Sequence, residues 1–276
     1  MRLRALSNCV YSLGLVIGAD HNPVMASLAS VEQKIFRGAL HLKELTSELE
    51  GYFHTNPGKM VMQPNSDPDE PVFSFQPKEP IPARFGLIIG DCLQNFRSAL
   101  DYLVWELVLA NNNQPTKDNM FPICSTRDAF VQQATKRKRL EGVHPDALAL
   151  IDSLQPYQLG QDWPKAILAV LDELANINKH RRVLLTMLRA GQTDKMPTVE
   201  IDGELWVKNP PTTLETDTQF RAKRTAANQM EMEGDVFACV TFDEGAAKGM
   251  EISYCLNLWG VYIKDDLVPQ FQRFFS

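Results

Sequence analysis

The sequence predicts an α+β protein: a mainly α-helical bundle core, an inserted β-hairpin and a C-terminal antiparallel β segment. Three observations carry that prediction. Runs at 26–53, 90–108 and 162–188 repeat apolar residues at every third or fourth position, the period of a helix with one buried face. Seven of the 17 prolines fall within 56–82, where proline restricts extended runs to strand edges and ends. Beyond Gly191 the apolar period shortens to two. The expected organisation is a helical core over 26–191 with the hairpin at about 56–82, then strands and a terminal helix over 192–276.

Residues 1–25 stand apart. Arg2 and Arg4 precede an apolar run at 10–19, and Val24-Met25-Ala26 offers the small residues of a signal-peptide cleavage site. The run contains Gly14 and Gly18 and is too short to span a bilayer. A signal-like leader and a mis-assigned start, with Met25 as the initiator, both fit these residues.

The first helix places Leu28, Val31, Ile35, Leu42, Leu45 and Leu49 on one stripe, with Glu32, Lys34, Lys43, Glu44 and Glu48 between them and Gly51 as a stop signal. Within the proline-rich stretch, 59–63 and 71–76 read as two strands around an acidic turn at 65–70. Pro80 and Pro82 then lead stiffly into the long helix, which Asn111-Asn112-Asn113-Gln114-Pro115 ends. Phe121-Pro122-Ile123-Cys124 reads as a short extended piece. Thr126 or Ser125 caps a helix running to Leu140, and Pro145 opens another over 144–154, ended by Leu154-Gln155-Pro156-Tyr157. A further long helix starts at Asp162 and Pro164 and runs to about Leu188. Alternation over 198–207 around Asp202-Gly203 predicts a hairpin. Two more strands follow at 236–242 and 250–256, after a polar loop at 208–234, and 258–275 closes the chain as an amphipathic helix kinked at Pro269.

A net charge of −6 over 276 residues excludes wholesale electrostatic attraction to nucleic acid or anionic lipid. One local basic run, Lys136-Arg137-Lys138-Arg139, reads as the solvated face of a helix. The five cysteines are scattered and odd in number, without C-x-x-C spacing, and the five histidines are dispersed. Neither a disulfide framework nor a metal site is indicated, and no cofactor motif is present. A reduced, cytoplasmic protein without a membrane span fits this composition.

The chemistry-bearing residues lie on two helices. On the long helix Asp91, Asn95, Ser98 and Tyr102 form a polar stripe nearly opposite the apolar one of Leu93, Phe96, Leu100, Leu103, Val104 and Leu107. Trp105 lies beside the polar stripe, and no Lys or Glu occurs between Asp91 and Trp105, unlike an ordinary solvated face. Short polar groups with one aromatic suit a cleft or a subunit contact. Arg97 and Asp101, four apart, form an intrahelical ion pair worth only about 0.3–0.5 kcal/mol if exposed. On the second helix Asn178 interrupts a stripe of Ile167, Leu171, Leu174 and Leu185, as a satisfied core amide or a specificity device. Asn176, Asn178, Lys179, His180 and Arg181 pack donors densely, as a phosphate or an acidic partner would require.

These residues resemble an uncharacterised bacterial family. In it a helix reading G-D-x-x-x-N-x-R-S-A-L-D-H-x-x-W is followed by F-P-I and L-Q-P-Y segments and a helix ending N-x-x-K-H-R. The chain matches over roughly 30–190 through Gly90, Asp91, Asn95, Arg97-Ser98-Ala99-Leu100-Asp101, Trp105, Phe121-Pro122-Ile123, Leu154-Gln155-Pro156-Tyr157 and the Asn176-to-Arg181 run. More remotely, the pattern's Arg-x4-His is similar to the signature of HEPN-type helical domains, which include metal-independent ribonucleases of toxin and phage-defence systems with sites shared between two subunits. Here Tyr102 stands at the histidine position, and a phenol with a pKa near 10 is a poor general base at neutral pH.

The resemblance implies a cytoplasmic bacterial or prophage-type protein with a HEPN-like core. Its expected role is an accessory binding or dimerising module in an RNA- or nucleotide-related setting. Asp91, Asn95, Ser98, Asp101, Tyr102, Trp105, Asn176, Asn178, Lys179 and Arg181 are its candidate binding residues. A ribonuclease with Arg97 and His180 as catalytic residues is one alternative. A purely structural interaction module, whose polar residues only specify helix pairing, is the other.

Overall fold

The computed structural model describes residues 26–55, 57–63, 72–181, 183, 185–190, 198–201, 204–207, 220–221, 223–224, 230–231 and 237–275. The leader at 1–25, the turns expected at 65–70 and 202–203 and most of the 208–234 loop lie outside them. Helices predominate: α1 (Ala29–His54), α2 (Ala83–Ala110), α3 (Arg127–Thr135), α4 (Pro145–Ser153), α5 (Ile167–His180) and α6 (Ile252–Val261), which continues through a π turn at Tyr262–Leu267 and a 3-10 turn at Val268–Phe274. The chain divides into two units.

The first unit holds Glu44–Gly86 and Leu184–Cys255. Strands β1 (Gly58–Gln63) and β2 (Val72–Pro77) pair antiparallel as the inserted hairpin, Gly58 opposite Pro77 and Gln63 opposite Val72. Beyond α5, β3 (Leu185–Ala190), β4 (Thr198–Ile201), β5 (Glu204–Val207), β6 (Phe220–Arg221), β7 (Lys223–Arg224), β8 (Met230–Glu231) and β9 (Phe237–Phe242) follow. Strand β6 extends the hairpin sheet, and β3–β9, β4–β5 and β7–β8 are antiparallel pairs. Two expectations fail here. The stretch to Leu188 is not helical; it leaves α5 at His180 and forms β3, because Leu185 to Ala190 find hydrogen-bond partners on β9, some fifty residues away. The strand expected at 250–256 is the first turn of α6. Glu251 accepts from the backbone N–H groups of Ser253 (3.0 Å) and Tyr254 (2.5 Å), satisfying two orphan donors of a helix start. Burial holds its carboxyl above the usual range despite those bonds.

The second unit holds the first part of α1, Leu87–Val183 and Leu256–Ser276. Its core joins Val31 and Ile35 of α1, Leu93, Phe96 and Leu103 of α2, Leu171 and Leu174 of α5, and Ile263, Leu267 and Phe271 of the terminal helix, all buried. At Phe96 two other helices approach closely. A Cβ on Gly38 of α1 would lie 2.5 Å from the Phe96 ring and one on Gly260 of α6 2.9 Å from it. Glycines on both flanks let three helices close around one ring. Thr126 caps α3 by accepting from Ala129 N–H, and His144 caps α4 by accepting from Asp146 N–H. Helix α3 ends at Thr135, so the basic run 136–139 forms a turn rather than a helical face, with Lys138 at φ 56°. The extended piece at 121–124 joins no sheet among the described residues. The segment ahead of α5, expected as helix from Asp162, is a 3-10 run over Pro156–Lys165.

Two glycines of α1 separate packing from propensity. Gly38→Ala forces a methyl against a ring held from both sides and lowers unfolding free energy by about 1–3 kcal/mol in urea denaturation. Gly51 lies in the same helix with nothing within 4 Å of an added Cβ, so Gly51→Ala raises stability by about 0.5–1 kcal/mol.

Candidate functional site

The two polar-bearing helices meet, and they run antiparallel. Gly90 of α2 faces Asn178 of α5, and an added Cβ at Gly90 would lie 2.3 Å from the Asn178 Oδ1. About two turns further along α2, Arg97 Nε donates to Asp172 Oδ1 of α5 at 3.0 Å. A glycine in a helix interior costs about 0.5–1 kcal/mol relative to alanine. At position 90 it makes room for the half-buried Asn178 amide.

Arg97 is the centre of the arrangement. Its side chain is 10% exposed, and each of its three nitrogens has a protein acceptor. Nε binds Asp172, Nη1 donates to Asp101 Oδ1 at 2.6 Å, and Nη2 donates to the Phe121 carbonyl at 2.8 Å. Asp101 Oδ1 also accepts the Phe121 N–H at 3.0 Å. The Arg97–Asp101 pair thus grips both backbone groups of Phe121, as a neighbouring strand would. Gln155, 1% exposed, does the same one step on. It accepts the Cys124 N–H at 3.0 Å and donates to the carbonyls of Pro122 (2.9 Å) and Ile151 (3.1 Å). Asn119, also buried, accepts from Thr116 N–H and donates to the Arg139 and Glu141 carbonyls. Side chains from α2, the end of α4 and the segment itself therefore replace a sheet for a buried extended stretch, whose unmet backbone groups would each cost about 1–3 kcal/mol.

The network reaches the surface on α5. Asp172 Oδ2 accepts from Asn176 Nδ2 at 3.0 Å, and Asn176 Oδ1 accepts from Lys179 Nζ at 3.1 Å. Burial, reinforced by the nearby Asp172 carboxylate, pushes the Cys124 thiol up to about 11, so it stays protonated and unreactive at neutral pH. The polar stripe of α2 is open to solvent. Asp91 is exposed, while Asn95 and Ser98 are half-buried and bonded along the helix, Asn95 donating to the Asp91 carbonyl and Ser98 accepting from Gln94. Tyr102 and Trp105 are 42% and 43% exposed. Lys34 of α1 lies 5.1 Å over the Tyr102 ring. Glu106 beside them is occupied, accepting from Ser27 N–H and Ser30 Oγ at the start of α1.

His180 is exposed at the last position of α5, next to exposed Arg181. It lies eight residues beyond Asp172, about 12 Å along the helix axis and about 80° around it. Arg97 and His180 therefore do not face one reacting atom within a single chain. The residues that the sequence did not single out are Asn119, Gln155 and Asp172. Of these, only Gln155 carried a signal, its place in the Leu154-Gln155-Pro156-Tyr157 segment. Among the described residues no three His, Cys, Asp or Glu side chains converge as metal ligands would, and no helix is long and apolar enough to cross a membrane. Compared with family models, curated proteins and solved structures, the chain matches none.

Removing the guanidinium strands two carboxylates and a buried carbonyl. Arg97→Ala is expected to lower unfolding free energy by about 3–5 kcal/mol, and Arg97→Lys to recover only part of it because an ammonium does not reproduce the fork. Urea midpoints of the three proteins check both statements.

Proposed function

We propose that this chain is a HEPN-like helical binding module that dimerises through the exposed face of α2 and serves an accessory role in an RNA- or nucleotide-related bacterial system. The single observation supporting it is the division of labour along α2. Arg97, the group that a ribonuclease of this kind needs at the scissile phosphate, has all three nitrogens committed to the fold, while Tyr102 and Trp105 stay exposed on the same helix. Exposed aromatics at three-residue spacing share one helix face, and such residues are enriched at protein interfaces. The RNA-related setting rests on the motif resemblance, together with aromatic faces that suit stacking.

The ribonuclease reading has less support. It needs a phosphate to displace Asp101, Asp172 or the Phe121 carbonyl from a guanidinium that is 10% exposed. The structural reading fits one part of the motif, because Arg97, Asp101 and Asn178 serve helix pairing and segment anchoring. It leaves Trp105 without a purpose.

Light scattering tests the proposal. The wild type is expected to run as a dimer at micromolar concentration and Trp105→Ala to shift toward monomer with unchanged helical circular dichroism. Labelled single-stranded RNA should remain intact in both samples. A monomeric wild type, or cleavage abolished by His180→Ala, contradicts it.

A further inference from the structure

We infer that the α2 face is completed by the basic turn at 136–139 of a second copy of this chain, each copy's turn meeting the other's Trp105–Asp101 surface about a two-fold axis. The inference rests on the dimerising reading above and names the contact that forms it.

The acceptor side carries excess negative charge. One guanidinium, Arg97, faces two carboxylates, Asp101 and Asp172, which are 33% and 28% exposed. On the α5 side the excess is covered, since Asp172 uses both oxygens and Lys179 stands behind Asn176. On the α2 side Lys34 stands over the Tyr102 ring, and Glu106, bonded to Ser27 and Ser30, offsets it, so Asp101 is not covered. Asp101 spends Oδ1 on Arg97 and Phe121, while Oδ2 accepts no hydrogen bond from the described residues. Trp105 follows Asp101 by four positions, so the exposed indole and the carboxylate share one face of α2. A carboxylate oxygen beside an open indole face is a receptor for an ammonium or guanidinium group, through charge and cation–π attraction together.

The donor side is on the same unit. Lys136, Arg137 and Lys138 are exposed. Lys138 pairs with Glu141, but Lys136 and Arg137 have no ion pair among the described residues. The left-handed backbone at Lys138 holds the run as a turn, a conformation that costs a non-glycine residue about 1 kcal/mol and that a continued helix would avoid.

Donor and acceptor are also neighbours. The Met120 N–H donates to the Arg139 carbonyl at 3.2 Å, and the next residue, Phe121, is the one gripped by Asp101 and Arg97. Two patches of opposite sign on one unit, joined through the 120–121 segment, are what a self-complementary contact between copies requires. An isologous pair places each against the other's opposite and closes after two copies.

The experiment uses the full chain. Lys136→Glu/Arg137→Glu is expected to weaken self-association at least about tenfold in analytical ultracentrifugation, and wild-type association to weaken with added salt. Both substitutions are on exposed side chains, so an unchanged thermal midpoint shows that folding is intact. A second measurement uses chemistry alone. In a Cys9→Ser background the remaining cysteines are buried. Mixing a Leu109→Cys copy, one turn on from Trp105 with the indole kept, with an Arg137→Cys copy and a short bis-maleimide should give a cross-linked dimer that neither copy gives alone. If Trp105→Ala abolishes the dimer while Lys136→Glu/Arg137→Glu leaves it intact and no mixed cross-link forms, this pairing is overturned and the α2 reading survives. A wild type that stays monomeric overturns both.

Discussion

The Arg97 guanidinium donates to acceptors on three separate parts of the chain: α2, α5 and the backbone at Phe121. Much of the helical unit is arranged so that none of these is left unmet. A buried guanidinium is tolerated only when its charge and its donors are both compensated. Asp101 and Asp172 supply the charge, and Phe121 supplies the remaining acceptor. In return the pair Arg97–Asp101 gives an extended, sheet-less segment the hydrogen bonds a strand neighbour would give it. Gln155 and Asn119 extend the same device to either side.

Close packing complements that polar anchor. The Phe96 ring sits between glycines of α1 and α6, and the Asn178 amide sits against a glycine of α2. Each glycine trades helix propensity for proximity. Proximity is what lets α2 serve as the common wall of the bundle, buried on its apolar stripe, pinned to α5 through Arg97, and exposed along Tyr102 and Trp105. A helix held this firmly on both flanks presents its outer aromatics at little entropic cost, which favours binding there.

Long, strongly periodic elements were legible in the sequence because their signal is local. Helices α1 and α2, the proline-bounded hairpin and the Thr126 cap all follow from spacing and capping chemistry within a few residues. What was not legible depends on distant partners. Leu171, Leu174 and Leu185 keep helical phase, yet Leu185 lies in β3, paired with a strand invisible from its own neighbourhood. Alternation at 250–256 suggested a strand, but Glu251 caps a helix there, and burial of Ile252, Cys255, Leu256 and Trp259 follows the longer period. At the site, Arg97 and Asp101 were visible as a pair, whereas their shared target, Phe121, and the second carboxylate, Asp172, were not. The motif residues invited a catalytic interpretation because arginine and aspartate in an apolar helix are costly. The same cost is met by a role in folding.

Amide hydrogen exchange resolved to single residues tests that role most directly. If side chains stand in for a sheet, the Phe121 and Cys124 amides exchange within about tenfold of the slowest amides at the centre of α2, because both open only with the whole unit. Exchange of these two amides at the rate of an ordinary exposed loop would contradict the account, and Arg97 would then have to be explained by something other than the segment it holds.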